Sequence, residues 1–489
     1  MAHDGATAAP LLPSAAGEPE APRRNRFAFV CATLASMTTI LMGYNLALMS
    51  GAQLFIREDL GLTDVEIEVL TGSMNLFMLV SILAAGWAAD VLGRRGTLVL
   101  ANAFLIAGAL AMSAGGSYAA LMAARFVTSV GVGLARVVAP VYNAEISPAS
   151  TRGVLSSLLD IFVNVGILLS YVSNYIFAGL PVHLGWRVMF AAGALPPVLL
   201  AAGVLAMPES PRWLVMRGRH GEARTVLVRT SDTPAEADLR LQEIKQAVAA
   251  SASSSQGAAA GGGGGGGVWK EMLVRPAKSV RRVLFCVVGL QFFQHASGID
   301  AIILYSPLVF RNAGMASDGA ALGATVAVGV VKTCFILVAT VLSDRVGRRP
   351  LLLASAGGAA VALASVAATL CAAAGGGGGG GGTTAACVAS VLAFVAAFSV
   401  GLGPVVPTYS SEIMPLRLRA QGTGLGTAVN RVSCGLVTMT FISLADWITM
   451  PGCFFLYAGA AAAACVFVYT QLPETSGRSL EDMDVLFAE

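Results

Sequence analysis

Charge is scarce in this 489-residue chain: Asp, Glu, Lys and Arg make up 12% of it, against 56% hydrophobic residues. A typical soluble domain carries about twice that charged fraction, and a mean hydropathy of +0.73 excludes a water-soluble globular fold. The net charge of +3 comes with no basic run long enough to track a phosphate backbone, so nucleic acid is not an expected partner. The eight cysteines include no Cys-x-x-Cys pair and stand in apolar stretches, which reads as buried free thiols and gives no metal site. No Asn-x-Ser/Thr acceptor occurs, so glycosylation says nothing of sidedness. No nucleophile, base and orienter set is present, and an enzyme is not expected.

What the chain has instead is apolar segments long enough to cross about 30 Å of hydrocarbon. Six run near Phe27–Ser50, Thr71–Ala89, Thr97–Ala114, Ala119–Pro140, Leu155–Tyr175 and Val188–Met207. Six more run near Val283–Tyr305, Ala320–Leu342, Leu351–Ala374, Ala385–Val406, Gly422–Leu444 and Cys453–Leu472. The predicted fold class is therefore an all-α membrane protein: twelve transmembrane helices in two pseudo-symmetric six-helix bundles, 27–207 and 283–472. Residues 1–26 read as a disordered tail and 473–489 as a second tail. Residues 208–282 read as a linker with short helices and the flexible glycine run Gly261–Gly267. Lys and Arg resist translocation. The arginines at 23, 24, 26, 94, 95, 152, 345, 348, 349, 417 and 419 fall in loops on one side and only Arg57, Arg187 and Arg311 on the other, which places both termini in the cytoplasm.

The two halves carry the same punctuation. Asp90-x-x-Gly93-Arg94-Arg95 is matched by Asp344-Arg345-x-Gly347-Arg348-Arg349, Glu145 with Arg152 by Glu412 with Arg419, and Pro208-Glu209-Ser210 by Pro473-Glu474-Thr475, at nearly constant spacing. Such matching means a duplicated six-helix unit, the architecture of a transporter that rocks one bundle against the other around a site between them. Loop charges serving topology alone would explain the arginines but not the acids and glycines. The sequence therefore predicts a cytoplasmic gate in which Asp90, Arg94, Arg95, Glu145, Arg152, Glu209, Arg212, Asp344, Arg348, Arg349, Glu412, Arg419 and Glu474 bond across that face and hold it shut.

Over residues 27–487 these motifs resemble the sugar porter family of the major facilitator superfamily. The runs Pro208-Glu209-Ser210-Pro211-Arg212-Trp213-Leu214, Ala296-Ser297-Gly298-Ile299-Asp300 and Ser411-Glu412-Ile413-x-Pro415-Leu416-Arg417 are similar to its plant polyol and monosaccharide branch. The resemblance implies movement of a polyol or monosaccharide across the plasma membrane or the vacuolar membrane, with a proton as co-substrate and no other cofactor. Several positions depart from the pattern. Gly43-Tyr44-Asn45 replaces Gly-Tyr-Asp, Gln294-His295 replaces Gln-Gln, Pro407 stands where Trp is usual, Val91 stands where Arg is usual, and Arg136 is unexpected in the fourth span. A non-transporting sensor on the same fold is the competing reading.

A charge at the bilayer centre costs about 2.5 to 3.5 kcal/mol on insertion scales, so each intramembrane ionisable group is a functional candidate. Asp160 and Asn164 share a face of the fifth span, and Gln291, Gln294 and His295 share one of the seventh. A regular helix points Asp300 away from them, whereas a break at Ser297-Gly298 turns it back. The family resemblance places Asp160, Gln294, His295, Asp300, Lys332, Pro407 and Asn430 at the sugar. Asn164 and Asn430 read equally as glue between helices, His295 also reads as a packing histidine, and Asp300 with Lys332 also as a buried ion pair. In proton-linked relatives an acid at the position of Asn45 faces the arginine matching Arg125, but an amide does not titrate at physiological pH. Two outcomes follow: uniport, or symport through Asp160 or Asp300.

Overall fold

The computed structural model describes residues 26–147, 152–260, 278–375, 381–414 and 418–475, without the side chains of 152–156, 250–260, 343–344 and 419–420. The tail before residue 26, Gly261–Gly267 and the residues after 475 lie outside the described part. Every regular element among the described residues is helical. Among the described residues eleven helical runs are long and apolar enough to cross a membrane. The run Asp64–Ala114, 51 residues long, is divided by Gly93 (φ 84°, ψ 168°) into the second and third spans, which makes twelve. The first span, Arg26–Ala47, continues through Leu48 into Met49–Leu60, the fourth is Tyr118–Ile146 and the fifth Arg152–Phe177. The sixth is built from Val182–Ala192 and Leu195–Ala206. In the second half come Lys278–Ala296 with Ile299–Asn312, Asp318–Val346, Arg348–Ala374, Gly381–Val400 with Leu402–Glu412, Arg419–Ile448 and Met450–Gln471.

Several spans outrun the predicted segments because polar residues close to helix ends extend them into the interfacial region, as at Arg57 in the first. Small residues let backbones touch. A Cβ on Gly43 would lie 2.0 Å from the Val163 carbonyl oxygen and one on Gly166 2.0 Å from that of Ile40, which pins the first span to the fifth. Between halves, the second span packs on the eleventh and the fifth on the eighth.

The linker is more ordered than its composition suggests. Pro211–Met216, His220–Thr230 and Pro234–Ala260 are helices, the last running through the Ser/Ala stretch because alanine has the highest helix propensity. Leu214, Val215, Ala223, Leu227, Ala237 and Leu241 pack beneath Tyr142 and Ile146 of the fourth span. Arg224 joins two of these helices through Asp238 at 2.7 and 3.1 Å, and that hydrogen-bonded guanidinium holds the exposed carboxyl below its usual range.

Candidate functional site

Two mirror-image ionic clusters occupy the face that carries the linker, here the basic face. Gly93 gives the backbone a conformation that aims the Arg94 and Arg95 amides at one carboxylate, since its φ is open to glycine at no steric cost. Glu209 accepts from the N–H of Arg94 at 2.9 Å and of Arg95 at 3.1 and 3.2 Å. The Arg94 guanidinium donates to Glu145 at 3.0 and 3.2 Å and to Asp90 at 3.1 Å, while Ser210 Oγ donates to Glu145. In the second half Gly347 (φ 95°) does the same: Glu474 accepts from the N–H of Arg348 and of Arg349 at 3.0 Å each. Arg348 Nη2 donates to Glu412 at 3.2 Å, and Thr475 Oγ1 donates to Glu412 at 2.8 Å. Tyr142 and Tyr409 complete the symmetry by donating to the carbonyls of Pro208 and Pro473 at 2.9 and 2.8 Å.

The described cluster contacts close within each half, because each acid lies at the end of a helix packed beside its own glycine turn. Arg212 is exposed and lines a cleft with Glu145, Arg240 and Glu243. The side chains of Arg152, Asp344 and Arg419 lie outside the described part.

Among the described residues, bonds that join the halves run from the midplane to the opposite, far face. Arg431 Nη1 donates to Asn75 at 3.2 Å, Thr333 Oγ1 to the Asn164 carbonyl at 3.3 Å and Tyr171 Oη to the Ile303 carbonyl at 2.7 Å. Farther out, Gln53 Nε2 donates to the Leu304 carbonyl at 2.7 Å, and Glu68 accepts from the Ser443 N–H at 3.0 Å. These contacts between described residues join the halves away from the basic face. The three far-face arginines are all paired, Arg57 with Asp64 and Arg311 with Asp318 at 2.7 Å and Arg187 with Asp59 at 3.6 Å.

At the midplane the seventh span breaks at Ser297-Gly298, where Gly298 has φ 78° and a Cβ would lie 2.5 Å from the Tyr457 ring. The break carries Asp300 back beside His295, whose Nδ1 it hydrogen-bonds. Asn430 Nδ2 donates to Gln291 Oε1 at 2.8 Å and Gln294 Oε1 at 2.9 Å, and its own oxygen accepts from Arg431 Nε at 2.9 Å. Gln294 Nε2 donates to the carbonyls of Leu402 and Gly403 at 2.9 and 3.2 Å; the Gly403 carbonyl has no helical donor because Pro407, four residues on, lacks an N–H. Asp160 is exposed rather than packed, within electrostatic reach of Arg136 and Lys332. Lys332 makes no ion pair with Asp300; its Nζ lies 5.8 Å from the Phe398 ring centroid. Pro407 is exposed in the last turns of the tenth span.

The structure therefore gathers Gln291, Gln294 and Asn430 into one hydrogen-bonded set and pairs His295 with Asp300 in a second. Asn164 is held on its own helix by a 2.7 Å bond to the Asp160 carbonyl. His295 Nε2, Asn164 Oδ1 and Asn75 Nδ2 are buried polar atoms with no partner. Hydroxyl-rich ligands suit such atoms, because an unsatisfied buried group costs about 1 to 3 kcal/mol until something bonds it. Arg431 and Asn75 were missed in the sequence. Arg431 carried a signal, an arginine about three turns into the eleventh span, whereas the link to Asn75 comes from the other half and had none. His295, Asp300 and Cys434 offer donor atoms within 4.8 Å of one another. The carboxylate is already engaged by His295, and Arg431 and Lys332 bear on it, a field that opposes a dication.

Arg125 is fully buried. Its Nη1 and Nη2 donate to the carbonyls of Asn45 and Thr71 at 3.2 and 3.4 Å, and its Nε has no partner. Asn45 turns its amide back on the Leu41 carbonyl at 2.9 Å.

The family described as Sugar (and other) transporter matches residues 31–487. The chain is 50% identical to Polyol transporter 5 of Arabidopsis thaliana over 470 residues, 96% of this chain and 87% of that one. It is 51% identical to Putative polyol transporter 1 of the same plant, over 97% of this chain and 93% of that one. The inward open conformation of the xylose transporter XylE from E. coli shares its fold, with a TM-score of 0.77 at 24% identity, covering 94% of this chain and all of the other.

Proposed function

This chain belongs to the sugar transporter family of the major facilitator superfamily, and on that premise we propose that it carries a linear polyol or monosaccharide through the midplane by alternating access. It is a multi-pass membrane transporter, not an enzyme. The observation that carries the substrate class is the set of partnerless buried atoms, His295 Nε2, Asn164 Oδ1 and Asn75 Nδ2, beside the Gln291, Gln294, Asn430 network. Amides bond adjacent hydroxyls in pairs, and the names of the plant relatives point to polyols.

The excess of arginine in the loops of the basic face supports a cytoplasmic placement of that face and of both termini. The far face is then the outside, and this conformation is closed to it. Gly93 and Gly347 with their acids lock the turns of each half, so that each bundle moves as one body while the Asn75–Arg431 and Glu68–Ser443 contacts exchange between states.

The test is uptake of labelled polyols, inositols, pentoses and hexoses into transporter-deficient cells. Accumulation above vector control for at least one polyol or monosaccharide is expected. Surface-expressed protein that binds such a ligand and moves none would return the reading to a sensor.

A further inference from the structure

The geometry points to a proton-binding site at the His295–Asp300 pair, an inference that rests on the transport reading above. The corner around Arg125 offers no titrating partner: its guanidinium meets only the Asn45 and Thr71 carbonyls, and among the described residues no carboxylate pairs with it. His295 is different. Of the four histidines, His183 and His220 are exposed, His3 lies outside the described residues, and His295 is buried at the midplane. Imidazole is the side chain whose ordinary titration falls between pH 5 and 8.

The hydrogen bond to Asp300 fixes the tautomer. With its proton on Nδ1 and shared with Asp300 Oδ2, the ring keeps a lone pair on Nε2, and that buried nitrogen has no partner. A proton arriving from the far-face solution forms an N–H bond there, and the pair goes from a net charge of −1 to neutral. Loss of that proton to the basic-face solution restores it, so one proton crosses per cycle and nothing is oxidised or reduced. Once formed, Nε2–H donates to a ligand hydroxyl, which ties proton and substrate to one atom.

The charges around the pair change with the access state. Facing it are Arg431 and Cys434 from the eleventh span, Lys332 from the eighth with Asp160 behind it on the fifth, and Tyr457 from the twelfth. Arg431 is held by Asn75 of the opposite half, a bond that separation of the far face breaks. His295 and Asp300 also lie on opposite sides of the Gly298 break, so a movement there alters their contact directly.

The experiment uses the purified full chain in proteoliposomes, with labelled D-sorbitol, or D-glucose where the uptake panel selects a hexose, and simultaneous external pH recording. The unaltered protein is expected to alkalinise the medium as substrate enters. His295→Gln and Asp300→Asn are each expected to lower the protons moved per substrate molecule at least ten-fold, scored against that variant's own flux. Substrate entry without alkalinisation in the unaltered protein, or a wild-type proton ratio in either variant, overturns the proton site and leaves transport standing. Absence of substrate entry and exchange in the unaltered protein overturns both. Nitrogen-15 NMR of the unaltered protein, labelled at its histidines, covers a misfolded variant. A buried imidazole whose Nε2 gains a proton between pH 8 and 5 is expected, and a His295 that keeps one protonation state throughout overturns the site.

Discussion

Asn430 is the residue on which the midplane network turns, since it alone touches Gln291, Gln294 and Arg431. Asn430→Ala removes two donated bonds and two accepted bonds, and leaves two amide oxygens and a guanidinium without those partners. Ligand affinity is expected to fall by about 1 to 3 kcal/mol, read as the shift in Kd by isothermal titration of the purified protein. An unchanged Kd with normal folding would remove Asn430 from the site. The residue types here were legible in the sequence because a polar side chain deep in an apolar span is costly and stands out. Their partners were not, since Lys332 and Asp300 can be read as a pair on charge alone, and only the positions of the eighth and seventh spans decide otherwise.

At the scale of the element, the breaks matter more than the helices. Gly298 takes a left-handed conformation and its hydrogen lies where a Cβ would meet the Tyr457 ring. Gly298→Ala is expected to destabilise the protein by about 1 to 3 kcal/mol through backbone strain alone, measured as a lowered thermal midpoint in detergent. A midpoint equal to that of the unaltered protein would mean the break is not fixed by this residue. The seventh-span break was legible because a continuous helix points Asp300 away from Gln291 and Gln294. The tenth-span break at Gly401 was not, because a glycine in an alanine-rich apolar span is ordinary in a membrane protein, and neither was the use of the Leu402 and Gly403 carbonyls by Gln294. The ionic turns at Gly93 and Gly347 were visible as repeats. Their closure within each half depends on how the ends of the fourth and tenth spans pack, which no motif records.

For the whole molecule, the sequence revealed two matched six-helix halves and left their relative tilt undetermined, since that is fixed by contacts between residues 132 to 375 positions apart. Glu68 with Ser443 is the outermost of these, on the second and eleventh spans. Glu68→Ala is expected to favour separation of the far face by about 1 kcal/mol, roughly a five-fold change in population. Hydrogen exchange should quicken at the far ends of the second and eleventh spans while the linker helices stay protected. Unaltered exchange there would mean that the contact does not hold the face closed. The central claim is that this chain is a carrier with one ligand site reached alternately from two faces. Counterflow tests it most directly: proteoliposomes holding the purified chain are loaded with unlabelled polyol or monosaccharide, and entry of the labelled compound is followed. The account predicts a transient accumulation of label above equilibrium that decays as the gradient dissipates. Entry equal to that of protein-free liposomes, for every polyol and monosaccharide that the protein binds, would contradict it.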